Sequence, residues 1–362
     1  MKIVNHGDIY NIYTDSINTY DQLPPQTYYV RFSERSGFFL EKGHEMCVGE
    51  DKIYGVHTEK VQKVMRTFGA LNRNLGVILS GDKGIGKSLF ARCLSVSARE
   101  SGIPTIIVDT QYDCIAAFLE CIEQEVLVLF DEFDKVFNKT EYQTELLGLF
   151  DGISNGKKLF VITCNDHSKL SEYLLNRPGR FHYHIRFKYP TRNEIRTYLE
   201  DKVQQQYHDQ IPGVISFAYK AKLNFDCLRA IAFELNMGVG YKEALLDLNI
   251  LNTGRNIRYD ADLHFDNGIV ASSKLSLDDS EDEIIVYLED RKTGKNYVDV
   301  TFSVADIVVH DDSECMYVPA DKLRIDFDTR DSYKELVDAA KNTNATRLVL
   351  KRIEDKPIHF TL

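Results

Sequence analysis

The stretch Gly81-Asp82-Lys83-Gly84-Ile85-Gly86-Lys87-Ser88 constrains this chain most. It follows the apolar run Leu75 to Ser80 and precedes Leu89-Phe90-Ala91-Arg92-Cys93-Leu94, so the pattern predicts a strand ending at the glycines and a helix beginning at the lysine. The glycines let backbone N–H groups turn inward around phosphate oxygens, and the helix N-terminus adds partial positive charge. In that context Lys87 reaches the β- and γ-phosphates of a nucleoside triphosphate, and the Ser88 hydroxyl ligates Mg2+. A glycine-rich turn that merely fits the spacing is the competing reading. The strand before it and the helix after it weigh against that.

At 362 residues the chain has room for two or three domains with a well-buried core. Cys47, Cys93, Cys114, Cys121, Cys164, Cys227 and Cys315 are scattered, with no CxxC pair and no zinc spacing, which reads as reduced thiols in a cytoplasmic protein. The first residues lack a signal-peptide pattern and no run of about 18 apolar residues occurs, so no membrane segment is expected. The net charge of −11 is uneven: residues 255–362 hold 23 Asp and Glu against 15 Lys and Arg. This argues against a broad basic footprint for nucleic acid, although a local basic channel would escape such a count.

Residues 1–52 carry short alternating runs, such as 27–32 and 37–40, that predict a small β-hairpin-like extension. A helix is expected from His57 to about Leu71, and Tyr54 and Gly55 precede it. Tyr54 either lies against an adenine ring or belongs to the core. Buried strands are expected at 104–109, 125–130 and 158–163, and helices at 114–122 and 142–150. The strand at 125–130 runs into Asp131-Glu132-Phe133-Asp134, where packing alone gives no reason for carboxylates. Asp131 is suited to hold Mg2+ and Glu132 to polarise the attacking water, with a pair of surface acids as the alternative. Asp134 reads as a solvated acid at a helix start. Asn165, at the tip of the next strand, either orients water and the γ-phosphate or is a turn residue. Arg177 and Arg180 flank Pro178-Gly179, a rigid turn that would hold both guanidinium groups outward, as stabilisation of a transferring phosphoryl group in trans requires.

Taken in order, these motifs over residues 77–190 resemble the AAA subfamily of the AAA+ ATPases: GDKGIGKS as Walker A, VLVLFDE as Walker B, LLGLFDG, VITCN, and LLNRPGRFHYHIRF as the second region of homology. The resemblance implies an α/β fold with the parallel sheet of a P-loop NTPase (53–190) and a helical lid (191–254). It implies ATP and Mg2+ as cofactors, Gly81 to Leu89 as the nucleotide loop and Asn165 as first sensor. Arg177 and Arg180 would be arginine fingers acting on a neighbouring copy in a homo-oligomeric ring, usually a hexamer. Thr191 and Glu194 suit a capping box, and Phe225 to Leu235 another helix. Arg229, three residues beyond Asp226, is a weak second-sensor candidate. Only a short connection separates the second strand from Walker B; Tyr112 in it either grips a threaded polypeptide as a pore-loop residue or packs its own loop.

From Arg255 the pattern changes to period two, with runs at 258–265, 283–288, 297–302 and 347–351, predicting a separate β-rich domain with a helix near 333–341. Such an acidic domain suits binding of a protein partner or substrate, or a scaffold role. The expected function is a ring-forming ATPase that remodels, disassembles or threads a protein substrate. A nucleotide-switched loading module, including one on DNA, and an ATP-dependent scaffold are the alternatives.

Overall fold

The computed structural model describes the chain except residues 1, 7, 15–16, 50–51, 53, 55–56, 152–155, 176–178, 221, 249, 251–256, 278–282, 291–293, 295, 304–305, 310–314, 329–333 and 354–362. Two compact units result: residues 1–198 with 224–229, and residues 199–223 with 230–362.

In the first unit, β1 (Lys2–His6) and β2 (Ile9–Tyr13) pair as an antiparallel hairpin. Next come β3 (Thr27–Ser33), β4 (Gly37–Lys42), α1 (His57–Ala70), β5 (Leu75–Ser80), α2 (Lys87–Glu100) and β6 (Thr105–Val108). They are followed by α3 (Ile115–Glu120), β7 (Val126–Phe130), α4 (Phe133–Val136), α5 (Thr140–Glu145), α6 (Leu147–Phe150), β8 (Lys158–Cys164) and β9 (Phe181–Arg186). One sheet runs β4-β3-β6-β7-β8-β5-β9, and every neighbouring pair in it is parallel except β3 with β4.

Every residue of β5, β6, β7 and β8 is buried, which is why these segments read as continuous apolar runs: helices cover both faces of such a sheet. Val61, Val64 and Phe68 of α1 and Phe90 and Leu94 of α2 pack on one face with Val77 and Leu79. Phe133, Phe137, Leu146, Leu149 and Phe150 pack on the other with Phe130 and Phe160. This is the expected P-loop NTPase architecture, and it brings the C-terminal tips of β5, β7 and β8 side by side.

The expectation of a single extension over 1–52 requires correction. Only β1 and β2 stand apart; β3 pairs in parallel with β6, and β4 closes the sheet as its outer strand. Tyr28 and Val30 are buried there, so the segment seals an edge that β6 would otherwise expose. The helix expected over 142–150 is instead α5 and α6, with Leu146 between them.

Beyond β9 lie α7 (Arg192–Lys202), α8 (Ile211–Lys220), α9 (Phe225–Asn236) and α10 (Tyr241–Asp247). The capping box is reciprocal: the Thr191 N–H donates to Glu194 Oε2 at 2.8 Å, and the Glu194 N–H to Thr191 Oγ1 at 3.3 Å. The division between units falls inside α7 and α9, where boundaries at 190 and 254 were expected. Residues 224–229 belong with the first unit because the Phe225 N–H donates to Gly84 O at 3.1 Å.

The second unit contains an eight-stranded antiparallel sheet. Its strands are β10 (Ile257–Phe265), β11 (Val270–Leu277), β12 (Glu283–Asp290), β13 (Asn296–Ser303), β14 (Val308–Val309), β15 (Cys315–Pro319), β16 (Arg324–Phe327) and β17 (Ala345–Arg352). They lie in the order β14-β15-β17-β10-β11-β12-β13-β16. Along β12 the inward residues Ile284, Val286 and Leu288 alternate with exposed ones, the period two read from the sequence. Helix α11 (Lys334–Lys341) adds Val337 and Ala340 to that core. The sequence also carries an acidic run from Asp278 to Glu283, which, apart from Glu283, lies outside the described residues. Among the described residues no helix is long and apolar enough to cross a membrane.

Candidate active site

Between β5 and α2 the chain turns through Gly81, Gly84 and Gly86, all at positive φ. Gly86, at φ 102°, is the last residue before α2, which begins with no side-chain cap, leaving its first N–H groups to a ligand. Lys87 is 8% exposed, and its three ammonium protons have three acceptors: Gly81 O at 2.5 Å, Asp82 O at 2.6 Å and Asn165 Oδ1 at 3.0 Å. Burial lowers the Lys87 pKa, and nearby acidic groups including Asp82, Asp134 and Glu132 oppose that shift. Ile85 is buried, Leu89 packs against the core, and Ser88 and Lys83 are exposed.

At the tip of β7, Asp131 Oδ1 accepts from Thr163 Oγ1 at 2.7 Å, and the same hydroxyl accepts from the Glu132 N–H at 2.8 Å. Glu132 adopts a left-handed backbone, φ 47° and ψ 45°, and pairs with Lys135 Nζ. Lys135 first, and Lys83 and Asn165 with it, hold the Glu132 carboxyl below its ordinary range. Asp134 is a correction. It is 3% exposed rather than solvated, and its carboxylate accepts from the N–H groups of Asn165 and Asp166, each at 3.2 Å. Because the turn at Glu132 starts α4 against the end of β8, an acid that reads as surface-facing instead fixes the loop carrying Asn165.

On the opposite side of the loop, the Tyr54 ring lies 5.0 Å from Tyr198 and 6.4 Å from Phe225, which are 5.6 Å apart. Asn224 Nδ2 donates to Lys83 O at 3.1 Å, so α9 begins directly on the phosphate loop. His57, which the sequence did not single out, places Nδ1 2.9 Å from Tyr54 O and Nε2 3.3 Å from Gly86 O. Burial lowers its pKa. Gly55 lies outside the described residues. Arg229 is exposed on α9.

The arginine pair separates. Arg177 lies outside the described residues, whereas Arg180 is 8% exposed and does not project. Its Nε and Nη2 bind the two carboxylate oxygens of Asp151, the second at 2.5 Å, and Nη1 donates to Tyr173 O at 2.9 Å. The expected outward guanidinium is therefore corrected for Arg180: Asp151, just after α6, captures it. Tyr112, in the connection before α3, places its ring 6.1 Å from Phe32 of β3 and 5.9 Å from Phe38 of β4, so within the chain it packs on that hairpin rather than on its own loop.

Residues 77–189 match the model of the ATPase family associated with various cellular activities (AAA). Tat-binding homolog 7 of Caenorhabditis elegans is 26% identical over 196 residues, 46% of this chain and 15% of that protein. The Caenorhabditis briggsae protein of the same name is 25% identical over 233 residues, 53% of this chain and 18% of its own length. The chain thus spans less than a fifth of these curated relatives. A solved Thermotoga maritima RuvB mutant aligns at 15% identity with a TM-score of 0.40, covering 56% of this chain and 73% of that one. With the ordered motifs and the strand-tip site, the family match identifies residues 77–189 as a nucleotide-binding domain of the AAA+ ATPase family.

Proposed function

We propose that this site hydrolyses ATP with Mg2+ and that turnover is completed by a neighbouring copy of the chain in a ring, usually of six. The observation that carries the reading is the meeting of Lys87, Asn165, Asp131 and Glu132 at the adjacent tips of β5, β8 and β7. Phosphate oxygens would replace Gly81 O and Asp82 O as acceptors for Lys87, while the loop amides and the start of α2 bind the remaining charge. Asn165, whose Oδ1 accepts from Lys87 at 3.0 Å, would report the γ-phosphate. Glu132 would take a proton from water as the water oxygen bonds phosphorus and the bond to the ADP oxygen breaks.

The hydroxyl of Ser88 and the carboxylate of Asp131 are hard oxygen donors that fit Mg2+. Bound there, the ion would neutralise charge developing on the phosphates. Tyr54, Tyr198 and Phe225 offer apolar ring faces to the base. Arg177 is the remaining finger candidate, because Arg180 is held by Asp151 and Tyr173 O. The β-rich region from 255 onward would engage the protein substrate that the cycle remodels.

Mixing Arg177→Ala with Glu132→Gln chains tests action between copies. Each alone should be inactive, and the mixture should regain turnover; no recovery would contradict trans completion. Stimulation by unfolded protein supports remodelling. Stimulation by DNA with steep salt dependence supports the loading alternative.

A further inference from the structure

We infer that Thr163 is a positioning residue of the hydrolytic site, its single hydroxyl setting the Asp131 carboxylate and the Glu132 backbone in mutual register; this rests on Glu132 acting as the base. The β7–β8 ladder ends at the pair Phe130 with Ile162. One residue further, Asp131 turns away from β8, and the Glu132 N–H takes the side chain of Thr163 in place of a backbone acceptor. Thr163 is 2% exposed, so its hydroxyl is shielded from water, and both bonds are part-buried.

The roles of the hydroxyl are fixed by chemistry. An amide N–H can only donate, so Thr163 Oγ1 accepts from Glu132 and its own proton goes to Asp131 Oδ1, at 2.7 Å. Glu132 is one of two non-glycine residues at positive φ among those described, the other being Cys114. A backbone in that region persists only where its surroundings over-determine it. The Thr163 bond supplies that determination at the residue whose side chain must aim at water. Thr163 therefore acts through Asp131 and Glu132 and does not touch the nucleotide.

Thr163→Val keeps the shape and deletes the hydroxyl, and Thr163→Ser keeps the hydroxyl. In the full chain, Thr163→Val should lower kcat by about 100-fold, as misplacement of a reacting group by about 1 Å does. The Kd for ATP should be unchanged, and Thr163→Ser should restore kcat. In the wild-type chain the Glu132 amide should exchange slowly with solvent, and quickly in Thr163→Ala. Wild-type kcat in Thr163→Val, or equal loss in the Val and Ser variants, would overturn the inference. If Thr163→Val does not fold, rapid exchange of the Glu132 amide in the wild type would do so by itself. Glu132→Gln measured in parallel separates the two claims: normal turnover there removes the base reading, whereas an inactive Glu132→Gln beside a fully active Thr163→Val removes Thr163 alone.

Discussion

Arg180 and Asp151 give opposite outcomes for action within a chain and between chains. Arg180 is almost fully buried, and its guanidinium spans both Asp151 oxygens and Tyr173 O. Removing one partner of a buried pair costs about 3–5 kcal/mol, chiefly through the charge left behind. The Asp151 side chain is 39% exposed, so solvent screens part of that charge. Discounting for this leaves about 2 kcal/mol for Asp151→Ala. In a unit of roughly 200 residues that lowers Tm by about 4–8 °C, well within calorimetric resolution. Arg180→Ala should fall by a similar amount, and the double variant by less than the sum, because the two side chains form one unit. Unchanged melting in both single variants, with loss only of turnover between copies, would refute the cis assignment and return Arg180 to the finger role.

Three other perturbations bear on the site. Gly86→Ala forces a side chain onto φ 102°, with its Cβ 2.8 Å from His57 Nε2; strain of about 1–3 kcal/mol should appear chiefly as weaker ATP binding in a titration. His57 has a pKa lowered from 6.5, so the unfolded chain takes up that proton first as pH falls. The stability it contributes is present above about pH 6.5 and lost below it, and His57→Gln should flatten this part of the stability–pH curve. Lys135→Ala removes the largest influence holding the Glu132 carboxyl low, so the acidic limb of kcat/KM against pH should move upward; an unmoved limb would separate Lys135 from the base.

The parts of this chain legible in sequence are those whose cause is local. Gly81 to Ser88 announces a loop because its backbone shape depends on glycine, and Thr191 with Glu194 announces a helix start because both partners lie within one turn. The strands at 75–80, 126–130 and 158–164 are legible because a sheet covered on both faces needs unbroken apolar runs. What escaped depends on partners distant in the chain. The place of β3 is set by β6, more than 70 residues later, and that of Arg180 by Asp151, 29 residues earlier. Thr163 read as the end of an apolar strand, and its partners became visible only once β7 and β8 were adjacent. Helix α8 was hidden by Pro212-Gly213, since proline in a first turn loses no helical bond yet reads as a breaker.

The central claim is that Glu132 activates water at a site built around Lys87. Phosphate release from ATP, measured with Mg2+ at assembling concentrations, tests it most directly when wild type and Glu132→Gln are compared alongside ATP binding. Release by the wild type is expected, and in Glu132→Gln retained ATP affinity with release reduced to background. Equal release by the two proteins would contradict it.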